Sequence, residues 1–433
     1  IQVGDQDGLE LIGNTISGNT SDRLGGGLSL SGWANTVITG NQISANTAIT
    51  GGGFYQPWGT GHLENNTITG NTAITTGGGL YLRDSKAEVY DNDISYNAAQ
   101  HGAGLTSSGS GGGFEHESHP SIAVNQIYSN TATQSGGGVF LDASAAFVKA
   151  NTLEYNEAGW DGGAIYVLLS DATIDSNRIR LNTADRGGAL GFQGGDPILT
   201  NNVIADNQAT TSGSAFYTFG ASPYFAYNTI ANNSGGDGSA GYLDPWMPGA
   251  GPVELINTIV SGHSIGISAT DGTTLTVDTV LWHNTPITIS QSGAAVTALN
   301  DQSGDPLFVN PSTGDYHLGS TSAAYDVGKD LISFDLSFDI DGQVRPMDAL
   351  PDIGADEYPG AHLDVFLYGP PSMVDPGDVL HYQLVVSSSG EISASSVAIT
   401  QTVDTYQRIT SVSSPSCSIA DTGWGGYVVC LRV

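Results

Sequence analysis

Apolar and polar positions recur in one fixed frame along residues 9 to 299. An apolar residue is followed three positions later by Asn, two further on by Ile or Leu, and three further on by a second Asn; then come a polar stretch, a glycine cluster and an alternating apolar pair. The leading asparagines are Asn14, Asn41, Asn66, Asn92, Asn125, Asn151, Asn177, Asn202, Asn228 and Asn257, spaced 22 to 33 residues apart if a degraded copy at Thr279 is included. One apolar column is Ile16, Ile43, Ile68, Ile94, Ile127, Leu153, Ile179, Ile204, Ile230, Ile259 and Leu281. A second, three residues before each Asn, runs from Leu11 to Phe225 and fails at Glu254, where an insertion shifts the frame. A third follows the glycines, as in Leu28 and Leu30 or Leu80 and Leu82. The alternation predicts three short strands per period.

A unit of this size cannot bury its apolar face alone, so successive units must stack, each strand pairing in parallel with its equivalent one turn away. The expected fold is therefore all-β: a three-sided parallel β-helix of about 11 coils, at roughly 4.8 Å per coil. Asparagine at a bend tolerates left-handed backbone, and its amide can bond to the asparagine above and below. The leading residues Asn14 to Asn228 and the second set (Asn19, Asn46, Asn71, Asn97, Asn130, Asn156, Asn182, Asn207, Asn233) are thus expected to form two ladders. The glycine clusters supply positive φ where the chain turns again.

The periodicity resembles the right-handed β-helices of the pectate-lyase-like superfamily, especially large secreted bacterial proteins built from Asn-x-Ile-x-x-Asn and Gly-Gly-Gly coils. That superfamily includes polysaccharide lyases, glycoside hydrolases, adhesins and autotransporter passengers, so the resemblance speaks to fold more than to activity. From about Asn300 the repeat stops. Asp305-Pro306-Leu307-Phe308, Gly314-Asp315-Tyr316-His317-Leu318, Asp339-Ile340-Asp341-Gly342 with Arg345, and Asp352-Ile353-Gly354-Ala355-Asp356-Glu357 resemble the C-terminal part of choice-of-anchor β-helix surface proteins. The resemblance implies a cap, residues 300–360, shielding the last coil's open edge. Residues 361–433 alternate between apolar runs and turns, as in a small β-sandwich. Pro371, Pro376-Gly377-Asp378, Leu380, Tyr382 and Leu384 resemble an immunoglobulin-like repeat of bacterial surface proteins, ending before its last strands.

Composition narrows the function. The chain has 433 residues, 60 of them Gly, and 11 basic against 43 acidic side chains for a net charge of −32. That charge excludes an electrostatic nucleic-acid binder. No apolar run reaches the roughly 18 residues of a membrane span. The chain opens on Ile1, which reads as a removed leader or a fragment of something longer. Cys417 and Cys430, close together, read as one local disulfide in an oxidising compartment, with two buried thiols as the other reading.

Candidate chemistry is sparse. A lyase on this fold needs carboxylates holding Ca²⁺ and an Arg or Lys base; Arg178, Arg180 and Arg186 fall near one another in sequence, beside Asp175 and Asp185. Neighbouring Asp-Asp pairs and Gly-His-Gly, expected of a polygalacturonase-like hydrolase, do not occur. His101, Glu115, His116, Glu117 and His119 gather at the long fourth coil, without the H-E-x-x-H order of a zinc site. Asp339, Asp341, Asp352, Asp356 and Glu357 suit Ca²⁺ or serve equally as turn caps. Tyr55, Trp58, Trp160, Tyr224 and Trp246, beside glycine and proline, are candidates for stacking on a glycan or on a neighbouring subunit. The expected function is a secreted or cell-surface bacterial structural or adhesive solenoid, leaning non-enzymatic. Its subunits could join head to tail into a filament by strand complementation. The alternatives are a polysaccharide lyase or hydrolase, and a non-catalytic glycan-binding module.

Overall fold

The computed structural model describes residues 1–433 except 5–7, 32–34, 111–117, 246–250, 332–335, 348, 360–362, 370–378, 380–381, 389–397, 403–407, 412–416, 420–426 and 432–433. Residues 1–358 and 359–433 form two compact units.

The first unit is a parallel β-solenoid. A representative coil runs through Thr36–Thr39, Gln42–Ser44, Thr47–Thr50 and Phe54–Pro57 before His62–Glu64 begins the next. We number the four resulting sheets I to IV in that order. Sheets I, II and IV have 12 strands each and sheet III has 8. Sheet III departs from the three strands expected per period. Its inward residues are alanines (Ala48, Ala73, Ala99, Ala132, Ala158, Ala184, Ala209), all buried, and so small that the segment lacks the apolar alternation by which a strand is recognised.

The three apolar columns fill the interior from Leu28 to Trp282 as one continuous cluster. Each fully buried Ile or Leu contributes about 1.5–3 kcal/mol over an exposed one. Both asparagine ladders form. Asn151 shows the pattern: its backbone N–H and its Nδ2 both donate to Asn177 Oδ1 (2.9 and 3.0 Å), and Nδ2 also donates to the Ile122 carbonyl at 2.8 Å. The left-handed residue is the one before each ladder Asn (Gly40, Asp91, Val124, Ala150, Ser176), and the Asn itself keeps negative φ. That division leaves the amide free to point inward along the stack. In the glycine triplets likewise, Gly51 supplies positive φ (+65°), whereas Gly52 is needed for space: a Cβ there would lie 2.5 Å from the Gly78 carbonyl oxygen of the next coil.

The ladder register changes after Asn228. Thr229 pairs with Ile259 and Ile230 with Val260, so Thr258 stands in the ladder position and Asn257 becomes the left-handed bend residue (φ 47°). The interior column continues through Val260 and Trp282, while Ile259 and Leu281 face outward, because a one-residue slip turns a strand over. They are nonetheless buried, packed under Leu318, Ala324 and Ile353. The column before the Asn does not fail at Glu254: Phe225 pairs with Leu255, which is buried.

The acidic segment after Asn300 therefore lies differently from the expected cap. It packs along the outer face of sheet II, over Val203, Ala205 and Ala231 with Tyr316 and Ala355, and reaches the edge of sheet I, where Leu331 covers Ala226 and the bend at Tyr227. The inward residues of the last coil, Ile289 and Val296, remain half-buried. The second unit has two antiparallel sheets, Leu363–Tyr368 with Gln383–Ser388, and Ala398–Thr402, Tyr427–Leu431 and Cys417–Ile419. The strand expected at residues 409–412 is not formed at 409–411.

Candidate functional site

Two polar groups and one exposed aromatic set stand out along the first unit. On the outer face of sheet IV, strand register aligns Tyr55, Tyr81, Thr106, Phe140, Tyr166, Gly191, Tyr217 and Tyr242 in one row. Tyr55 stacks on Tyr81 (5.6 Å), His101 on Phe140 (5.2 Å), Phe140 on Tyr166 (5.7 Å) and Tyr217 on Tyr242 (5.9 Å). Arg186 binds Asp161 through two bonds of 2.7 and 3.0 Å and lies 4.5 Å over the Tyr217 ring, whose hydroxyl donates to Asp244 at 2.7 Å. Burial raises the Asp161 carboxyl above its ordinary pKa, against the Arg186 charge, which lowers it. Burial raises the Tyr166 and Tyr217 phenols as well. Since these ring faces are spent on one another, the row chiefly offers edges and hydroxyls.

The second group lies where the acidic segment meets sheet II. Arg180 Nε and Nη2 donate to Asp206 at 3.0 and 2.7 Å, and Tyr316 donates to the other Asp206 oxygen at 2.8 Å. Arg178 donates to Asp341 Oδ1 at 2.7 Å, while His317 bridges Asp315 and Asp341 at 2.6 Å each. The bond to Asp341, with that to Asp315, raises His317 to about 9 against the lowering effect of burial. Arg186, near Arg180 in sequence, is not part of this group: it serves sheet IV.

The five candidate calcium ligands do not converge. Asp339 accepts from the backbone N–H of Asp341, Gln343 and Glu357. Asp352 accepts from those of Asp326 and Tyr358, and Glu357 from those of Met347 and Asp352. Arg345, buried, donates to the carbonyls of Asp352, Gly354 and Ala355. Asp341 and Asp356 gather with His317, their ligand atoms within 4.8 Å of one another. Asp356 accepts from the Leu318 N–H at 2.6 Å, and burial raises it to about 6.

Of the aromatic candidates, Tyr55 is buried in its stack, Trp58 and Tyr224 are half-buried, and Trp160 is exposed. Trp246 lies outside the described residues, as do Glu115, His116 and Glu117. His101 is packed on Phe140 and its pKa is lowered by burial. Backbone register sets Cys417 opposite Cys430; their side chains lie outside the described residues. Among the described residues the most exposed tyrosines, Tyr96 (62%) and Tyr155 (58%), are not signalled by glycine or proline neighbours. Their signal is position, one residue before a ladder Asn.

A family model described as the right handed beta helix region matches residues 1–179, 78–242 and 113–302. The chain belongs to this right-handed β-helix family. The search of curated proteins found no match to the chain. No helix among its described residues is long and apolar enough to cross a membrane.

Proposed function

We propose that this β-helix protein works outside the cell, secreted or on a bacterial surface, as a structural and adhesive solenoid rather than as a lyase or hydrolase. The observation that supports this reading is the commitment of its candidate bases. Arg178, Arg180 and Arg186 are each held by a carboxylate, and Arg180 is half-buried between Asp206 and Glu154 beneath the acidic segment. A base for proton abstraction needs an open approach, and a bound carboxylate occupies that approach at each of the three guanidinium groups.

The antiparallel strands of residues 363–431 and the cross-strand register of Cys417 and Cys430 are compatible with a disulfide-closed, immunoglobulin-like module of surface proteins. The half-buried apolar edge of the last coil would suit a neighbouring subunit in a filament. Calcium, if bound, would have Asp341 and Asp356 as its nearest ligands.

The deciding experiment incubates the purified protein with neutral and acidic polysaccharides, with and without Ca²⁺, and measures new reducing ends and unsaturated products. Absence of turnover, with the protein recovered in the medium or at the surface of the producing cell, is expected. Turnover abolished by Arg180→Ala would overturn the reading.

A further inference from the structure

Each coil bends at the residue before its second ladder Asn, and that residue takes positive φ. In most coils it is small or a polar residue at ease in that region: Gly18, Ala45, Gly70, Ser129, Asp206, Asn232. Three coils instead carry a larger side chain: Leu181 (φ 58°), which is half-buried, and Tyr96 (φ 54°) and Tyr155 (φ 56°). A bulky side chain there carries backbone strain. Both rings nevertheless point to solvent, so neither gains core packing in return.

The coil between them contributes Tyr128 from sheet II. Its ring meets Tyr96 edge-on at 5.7 Å and its hydroxyl donates to Asp93 at 3.0 Å. Register places Ser95, Tyr128 and Glu154 in one outward row of sheet II, so Tyr96 and Tyr155, each one residue further along the chain, flank Tyr128 from above and below. Tyr96 and Tyr155 are two coils apart, about 9.6 Å along the axis at the usual strand spacing.

We propose that Tyr96 and Tyr155, with Tyr128 bracing Tyr96 edge-on between them, form a platform that binds an extended, neutral, β-linked polysaccharide, a contact that rests on the adhesive reading above and gives it a ligand class. Tyrosine rings offer rigid apolar faces with a polar tip, suited to stacking on the apolar face of a sugar ring. Their two-coil separation suits a linear polymer in which alternate residues present the same face. Asp93 and Glu154 lie beside the rings, and carboxylates there can accept hydrogen bonds from sugar hydroxyls. The same carboxylates, on a chain of net charge −32, repel an acidic polymer.

The test is affinity electrophoresis of the full chain in native gels containing hydroxyethylcellulose, a neutral mixed-linkage β-glucan, or polygalacturonate. Retardation by at least one neutral polymer and not by polygalacturonate is expected. Tyr96→Asn with Tyr155→Asn, which suits the left-handed backbone and leaves the fold intact, should weaken binding about tenfold or more. Tyr96→Phe with Tyr155→Phe should leave it within about twofold, because the stacking face is kept. No retardation by either neutral polymer, or equal retardation of the Asn variant, would overturn the platform. So would sedimentation showing that the rings hold a second copy of the chain, with dimers lost in the Asn variant. Binding by purified protein is independent of where the protein resides, so loss of the platform and loss of the extracellular reading are told apart.

Discussion

Asn257 and Lys329 hold each other by two hydrogen bonds: Asn257 Nδ2 donates to the Lys329 carbonyl at 2.6 Å, and the Lys329 N–H donates to Asn257 Oδ1 at 2.8 Å. Tyr227, at the equivalent bend one coil earlier, donates to the same carbonyl at 2.8 Å, and Lys329 Nζ reaches Asp278 at 2.7 Å. An asparagine released from the ladder by a one-residue register change thus fastens the acidic segment to the solenoid.

Asn257→Ala should loosen that segment without unfolding the coils. Losing both bonds from a partly buried site costs about 1–3 kcal/mol. Hydrogen exchange should accelerate around residues 324–331, while amides of the sheets far from residue 257 keep their protection.

Removing a ladder asparagine should do more. Asn151→Ala leaves the Asn125 backbone N–H and amide without the Oδ1 they share, and the Ile122 carbonyl without its donor, all in the dry interior. A loss on the order of 3 kcal/mol or more is expected in denaturant unfolding. Asn14→Ala, in an exposed first rung, should cost far less.

The acidic segment should be held more tightly in mild acid than in mild alkali. Burial raises Asp352 to about 7 and Asp356 to about 6 from 3.8, while hydrogen bonds to Asp341 and Asp315 raise His317 to about 9 from 6.5. In all three the folded state binds protons more tightly than the unfolded one. Their contribution therefore falls as pH rises, from 3.8 to about 7 for Asp352 and from 6.5 to about 9 for His317. Asp341 is lowered, chiefly by its bond to His317, and its contribution is lost only in strong acid. Exchange protection of residues 314–357, corrected for intrinsic rates, should be higher at about pH 5.5 than at about pH 8.5, because proton binding is linked to folding. His317→Gln should remove the alkaline part of the change.

Reduction should affect the second unit alone. Backbone register sets Cys417 opposite Cys430 on adjacent antiparallel strands, and the proposed bridge, closing a loop of that length, would stabilise by about 3 kcal/mol. Intact mass of the native protein should show two hydrogens fewer than the dithiol, and thiol reductant should lower the unfolding transition of residues 359–433 while leaving that of the solenoid.

How far residues alone could be read depended on whether each one's role was periodic. Ile16 to Ile230, Leu11 to Phe225 and the ladder asparagines declare their places because every coil repeats the same burial, so the parallel solenoid was legible. Sheet III was not, since Ala48 and Ala73 bury too little to mark a strand. Ile259 was legible as apolar and illegible as outward-facing: burial under Ile353 and burial inside the coil look alike in sequence, and only strand register separates them. Arg180 finds Asp206 one coil on, 26 residues away, but the pair is a single event that the other coils do not repeat, and Asp341 meets Arg178 from 163 residues away. Repetition along one axis thus determined the stack from sequence, whereas the folding back of residues 300–358 onto sheet II, and the pairs it creates, belong to the tertiary structure because unrepeated long-range contacts leave no pattern to count.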